Sequence, residues 1–107
     1  MSVKSKIDGM IKDYPVFMVS KSYCPFCKKA KAALAKYSIP ADKIKIMEIE
    51  NDPDCEEIQK YMQKLTGGRT VPRVFIQGKC IGGGSEAAAA HESGQLRKLL
   101  QSAGAIE

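Results

Sequence analysis

The sequence predicts an α/β protein with a small mixed sheet carrying helices on both faces. Three observations lead there. Two strand-like apolar runs, Val16-Phe17-Met18-Val19 and Ile44 to Ile49, are separated by a run of good helix formers, which makes a βαβ unit. Two further short runs, Val74-Phe75-Ile76 and Lys79-Cys80-Ile81, flank Gln77-Gly78 as a hairpin would. The remaining periodic segments have the 3.6-residue spacing of helices, at both ends of the chain and ahead of the hairpin, so they must cover the sheet.

In chain order, Val3, Ile7, Met10 and Ile11 recur at helical spacing and predict a helix over the first dozen residues, weakened by Gly9. Pro15 separates it from the first strand. A second helix runs from Pro25, suited to a first-turn position, to about Tyr37, and Pro40 bars its continuation. The alternation Ile44-Lys45-Ile46-Met47-Glu48-Ile49 is the second strand. Asn51-Asp52-Pro53 offers a cap and a first-turn proline for a helix through Ile58, Tyr61, Met62 and Leu65, which Gly67-Gly68 ends. After the hairpin and Gly82-Gly83-Gly84, Ser85 is expected to cap a helix through the alanines. Gly94 breaks that helix before a last one bearing Leu96, Leu99 and Leu100.

The 107 residues, 44% of them hydrophobic, suit a single domain spanning 1-107 with an ordinary core. No apolar run reaches the roughly 20 residues of a membrane span, so neither anchor nor signal peptide is expected, and no membrane partner. Four cysteines are few for a disulfide scaffold of this size, which favours a reducing, cytoplasmic setting. The net charge of +5 comes largely from lysines, including Lys28, Lys29 and Lys31. These are interleaved with Ala and Leu at helical spacing and lack an aromatic platform, so nucleic acid is not the expected partner. They read as a solvated helix face, or as a positive field that attracts an anionic thiol substrate and depresses the pKa of Cys24.

The chemistry concentrates in Tyr23-Cys24-Pro25-Phe26-Cys27. A C-x-x-C pair between a strand and a helix is a candidate redox dithiol, because a cysteine at a helix N-terminus has its thiolate stabilised by backbone N-H groups and the helix dipole. Cys24, after the strand, is the candidate attacking thiolate, and Cys27, about a turn into the helix, the more buried resolving thiol. Spacing alone leaves two alternatives open: half of a zinc site completed from Cys55, Cys80 and His91, and an inert structural disulfide. Arg69-Thr70-Val71-Pro72-Arg73 is a second candidate element: a cis peptide at Pro72 would present the preceding backbone for pairing with an extended peptide, whereas a trans proline would merely start a strand. The third is Gly82-Gly83-Gly84-Ser85-Glu86, accessible backbone leading into a helix N-terminus that can bind a carboxylate.

Taken together, Lys21-Ser22-Tyr23-Cys24-Pro25-Phe26-Cys27, Thr70-Val71-Pro72, and Cys80-Ile81-Gly82-Gly83 running into Ser85-Glu86 resemble the dithiol glutaredoxins of the thioredoxin-like superfamily, in order and spacing and over nearly the whole chain. The resemblance implies a thioredoxin-like fold with a four-stranded mixed sheet, about five helices and a cis-proline at Pro72. It implies a glutathione-disulfide oxidoreductase that reduces protein-glutathione mixed disulfides and protein disulfides, taking part in electron transport and cell redox homeostasis. Its partners would be glutathione as co-substrate, glutathionylated or disulfide-containing proteins and, through the glutathione pool, glutathione reductase; it would act as a monomer without a metal. The resemblance also implies where glutathione sits. Its sulfur would lie against Cys24, its backbone would pair with Val71 beside Thr70 and Pro72, and its glycine carboxylate would be held by Lys21 and by Gln59 or Arg69. Its γ-glutamyl end would meet Gly84, Ser85 and Glu86. Two positions depart from the common family form: Phe26 stands where tyrosine is usual, and Glu86 where aspartate is common.

Two other readings compete. A thioredoxin-type reductase would resemble its family in a tryptophan before the first cysteine and Gly-Pro between the pair, whereas this chain has no tryptophan and carries Pro25-Phe26. An iron-sulfur module, with Cys24 and glutathione holding a cluster between two subunits, resembles glutaredoxins that have serine or glycine after the first cysteine, where Pro25 stands here.

Overall fold

The computed structural model describes residues 2–107; Met1, part of the helix expected over the first dozen residues, lies outside them. The elements are α1 (Val3–Asp13), β1 (Val16–Ser20), α2 (Pro25–Ala35), a short 3-10 turn (Ala41–Lys43), β2 (Ile44–Glu48), α3 (Cys55–Thr66), β3 (Arg73–Ile76), β4 (Lys79–Gly82), α4 (Gly84–Ser93) and α5 (Gln95–Ser102). The four strands form one sheet in the order β2-β1-β3-β4. β1 pairs parallel with β2, Val16 opposite Ile44, and antiparallel with β3, Phe17 opposite Phe75. β4 completes the hairpin, with Ile76 opposite Lys79 and a register shift between Val74 and Phe75. Gln77 and Gly78 both have positive φ, as a tight two-residue turn requires.

All five residues of β1 are buried, which is why this strand reads as a continuous apolar run rather than an alternation. Its two faces feed two cores. Val16 and Met18 join Cys27, Ala30, Leu34, Val74 and Ile76, with Ala87, Leu96 and Leu100 from the last helices. Phe17 and Val19 join Ile7, Met47, Ile49, Ile58, Met62 and Phe75 beneath α1 and α3. The helices therefore do lie on both faces: α2, α4 and α5 on one, α1 and α3 on the other.

Three expected boundaries move. α3 begins at Cys55, beyond Pro53, because the Asp52 carboxylate accepts from the Asp54 N-H at 2.8 Å and forms a local turn that delays the helix. α2 ends at Ala35, short of Tyr37, and Ser38 follows at positive φ. Ser85 does not cap α4: Gly83 is the extended residue ahead of it, and the Glu86 carboxylate accepts from the Gly83 N-H at 2.7 Å, which leaves Ser85 exposed in the first turn. Gly67 and Gly94 end α3 and α4 in the left-handed conformation, as their sequence positions predict.

Candidate active site

The end of β1 and the start of α2 hold the two cysteines in unlike surroundings. Cys24 is the residue immediately before α2, with extended backbone (φ −79°, ψ 124°), and Pro25 takes the first helical position. It is half-buried, whereas Cys27 is fully buried in the core. Burial alone would push the Cys24 thiol up. The backbone N-H of Cys27, the Cys27 thiol, the Phe26 N-H and the Lys21 charge outweigh it, so Cys24 ionises below the ordinary thiol range. Burial pushes Cys27 the other way, to a raised pKa, and neither the Lys21 N-H nor the Ser20 hydroxyl reverses it. One sulfur, in reach of solvent, gives up its proton more readily than an ordinary thiol, and the other, behind it, holds its proton more tightly. Lys28 and Lys29 contribute nothing to the Cys24 shift; of the lysines only Lys21 does, and the field expected from the α2 lysines is in fact that one charge together with the helix N-H groups.

Val71 lies across from this pair. The Val71-Pro72 peptide is cis, so of the two readings of Pro72 the trans one is overturned. The Cys24 thiol points at the Val71 carbonyl, 3.9 Å away. Val71 itself precedes the sheet ladder, which begins at Arg73. On the third side the N-terminus of α4 closes in. A Cβ on Gly84 would run into the backbone carbonyl of Phe26, so only glycine allows the first turn of α4 to sit on the first turn of α2. Phe26 is 55% exposed and Tyr23 65% exposed, an aromatic pair standing open on either side of Cys24.

Two residues of this arrangement, Glu50 and Ser20, were not singled out from sequence, and Arg73 was named there only as the end of its segment, without a role. Glu50, just past β2, takes the Ser22 N-H at 3.2 Å and also the Ser22 hydroxyl, which fastens the loop before Cys24; the hydroxyl is the main reason the Glu50 carboxyl lies below its usual range. Arg73 donates to the Gly68 carbonyl at 3.1 Å and to the Thr70 hydroxyl at 3.1 Å, bracing the loop that leads to Val71. Ser20, the last residue of β1, is fully buried, and among the described residues its hydroxyl has no hydrogen-bond partner. A charged residue beside a turn is common, and only the fold brings Glu50 to Ser22 across 28 positions.

The remaining predicted residues are placed as follows. Lys21 is half-buried, and its N-H reaches the Cys27 sulfur at 3.4 Å. Arg69 and Thr70 are exposed. The Gln59 amide donates to the Arg69 carbonyl at 3.0 Å, so Gln59 holds the loop. Pro72 is buried, Gly84 is buried, and Ser85 and Glu86 are exposed at the mouth of the site. Cys55 at the start of α3 donates to Gln59, and Cys80 packs against the other core. His91 is bonded to Tyr37 on the far side of α4. Among the described residues no group of three or more His, Cys, Asp or Glu side chains could hold a metal ion.

A strand-turn-helix dithiol with one activated and one shielded sulfur, faced by a residue preceding a cis-proline, defines a thiol-disulfide oxidoreductase of the thioredoxin-like fold. The comparisons narrow the class. The Glutaredoxin family model matches residues 16–81. A monothiol glutaredoxin of Caenorhabditis elegans is 41% identical over 97% of this chain and 70% of its own length. Crystalline oxidized glutaredoxin 2 from Chlamydomonas reinhardtii superposes with a TM-score of 0.91 at 45% identity, covering 97% of this chain and 95% of that one. A buckwheat glutaredoxin-glutathione complex gives 0.89 at 31% identity, over 98% and 93%. This chain belongs to the glutaredoxin family, whose members are glutathione-dependent thiol oxidoreductases. Unlike a monothiol protein, it has both sulfurs of the C-x-x-C pair.

Proposed function

We propose that the protein reduces mixed disulfides between glutathione and protein cysteines with Cys24 alone, and protein disulfides with Cys24 and Cys27 together. The observation that carries this reading is the opposed state of the two thiols: Cys24 accessible and ionised below the ordinary range, Cys27 buried and raised above it. In the first reaction the Cys24 thiolate attacks the glutathione sulfur of a protein-S-SG disulfide. The S-S bond breaks, the protein thiolate leaves, and Cys24 carries the glutathionyl group. A glutathione thiolate then attacks that sulfur, releases oxidised glutathione and restores the Cys24 thiolate. The low pKa of Cys24 helps both steps, first as a populated nucleophile and then as a good leaving group. With a protein disulfide, Cys24 forms a mixed disulfide with one protein sulfur, Cys27 attacks Cys24 after losing its proton, and two glutathiones reduce the resulting Cys24-Cys27 bond.

The surfaces around Cys24 support a seat for glutathione. Its main chain pairs with Val71, whose backbone lies outside the sheet ladder, with Thr70, Pro72 and the exposed Phe26 ring as walls. Lys21 and Arg69 face its glycine carboxylate, and Gln59 acts by holding the Arg69 loop. The N-H groups of Gly84 and Ser85 at the start of α4 suit the γ-glutamyl carboxylate, and Glu86 suits its ammonium. The protein acts as a monomer in a reducing, cytosolic setting, where glutathione reductase renews the pool; its four unbridged cysteines agree with such a setting. The deciding experiment is a glutathione-coupled assay with a glutathionylated protein. Cys24→Ser abolishes turnover and Cys27→Ser keeps most of it, and equal loss in both variants would refute the single-thiol cycle.

A further inference from the structure

Beyond the two cysteines, the end of β1 carries a group that the cycle above does not use. Side chains at Val16 and Met18 point to the α2 side of the sheet, where both join the core that contains Cys27. The alternation of a strand sends Ser20 to the same side. Ser20 is 0% exposed, as is Cys27, and the next residue, Lys21, already donates its N-H to the Cys27 sulfur at 3.4 Å. The Ser20 hydroxyl therefore lies on the side of the sheet that holds the reserve sulfur, sealed from water, and among the described residues it has no hydrogen-bond partner. A buried hydroxyl left unpaired costs stability, and an alanine there would relieve the cost. The Ser20 hydroxyl favours the ionised form of Cys27, the form that arises during turnover and can accept from it.

We propose that Ser20 is a positioning residue in the second half of the disulfide reaction, a donor that readies Cys27 for attack on the Cys24 mixed disulfide and takes no part in the Cys24-only cycle. The proposal rests on the resolving role given to Cys27. In that step Cys24-S-SG and the Cys27 thiolate become the Cys24-Cys27 disulfide and a glutathione thiolate, and the Cys27 proton goes to solvent or buffer. The charged and titratable groups on the surrounding elements are Cys24 and Lys21 in the loop, Lys28, Lys29 and Lys31 of α2, the last paired with Glu48 of β2, Lys45 of β2, Arg73 of β3 bonded to Gly68 and Thr70, and Glu86, His91 and Glu92 of α4, with Glu86 bonded to Gly83. Of their side chains only Cys24 bears on Cys27, and it opposes ionisation. Once Cys24 is held in a mixed disulfide that opposition is gone, while the Lys21 N-H and the Ser20 O-H remain. The reserve thiol thus becomes easier to ionise at the moment it is needed.

The test uses the whole protein, with Cys24 loaded as the glutathione mixed disulfide and glutathione release followed across pH. For Ser20→Ala the midpoint of the release profile moves up by about one unit, and release at neutral pH falls about tenfold, as one unit of thiolate population requires. Ser20→Thr, which keeps a hydroxyl, restores the profile. Turnover of the protein-glutathione mixed disulfide, which needs only Cys24, stays within about twofold of wild type. Should the alanine variant fold poorly, Ser20→Thr against Ser20→Val gives the same contrast at nearly equal shape. An unshifted profile in the variants lacking the hydroxyl overturns the proposal. If Cys27→Ser releases glutathione as fast as wild type, it is the resolving role of Cys27 that fails.

Discussion

Gly84→Ala tests how the site is held together. Gly84 is the first residue of α4 and lies on the backbone of Phe26; an added Cβ would be 3.0 Å from the Phe26 carbonyl carbon and 3.1 Å from its Cα, with the oxygen nearer still. Optimal separations of such atoms are roughly 3.5–4.0 Å, so α4 or the first turn of α2 must withdraw by about 1 Å, and neither is a flexible side chain. Overpacking of this kind costs about 1–3 kcal/mol, against which alanine in a helix recovers about 0.5–1 kcal/mol. A net loss of about 1–2 kcal/mol corresponds to a melting temperature lower by roughly 5–15 °C in a domain of this size. The displaced turn also carries the Phe26 and Cys27 N-H groups that lower the Cys24 pKa, so Cys24 should ionise closer to the ordinary thiol range. The sign of the pH effect follows. A lowered folded pKa contributes stability above the unfolded thiol value, and that contribution is lost as pH falls through the folded value. The deficit of the variant should therefore widen toward alkaline pH. Thermal unfolding across pH and peptide-resolved alkylation of Cys24 read the two effects. An alanine variant with wild-type melting temperature and wild-type alkylation midpoint would refute the argument.

Two further outcomes follow from the anchors of the loop. Lys21→Met removes the one side-chain cation that favours the Cys24 thiolate, so the midpoint of its alkylation rate against pH should rise, and added salt should shift wild type toward the variant. Glu50→Ala unties the Ser22 N-H and hydroxyl; amide exchange at Ser22 and Tyr23 should accelerate with little change in melting temperature, because the bond is solvent-exposed.

The parts of the fold that sequence reveals are those where local chemistry and tertiary packing agree. Pro15, Pro25, Pro40, Gly67 and Gly94 punctuate the chain in ways the packed molecule keeps, and the alternation Ile44 to Ile49 becomes an edge strand whose Ile44 and Ile46 pack on one core and whose Met47 and Ile49 join the other. Disagreement arises where a local group competes for the backbone. Asp52 draws the chain into a turn and holds back α3, and α4, seated by Gly84 on Phe26, starts two residues earlier than a cap at Ser85 would allow. In the site, Cys24 and Cys27 are legible because their spacing is itself the chemistry. Glu50, Arg73 and Ser20 are not, because a carboxylate after a strand, an arginine at a strand start and a serine at a strand end have no meaning until the sheet sets them beside Ser22, Thr70 and Cys27.

The tie between Ser22 and Glu50 also bears on how the protein comes to be reactive. Ser22 belongs to the turn after β1, Glu50 to the chain leaving β2, and the Ile49 N-H continues the same seam by bonding the Ser20 carbonyl at 2.9 Å. During synthesis, a chain that has emerged only through α2 already holds Lys21, Phe26 and Cys27, the groups that favour the Cys24 thiolate, but neither this seam nor Val71 to fix them in place. The closing of β1 on β2 and then β3 turns a local turn into a held one, and it brings the Val71 surface opposite Cys24.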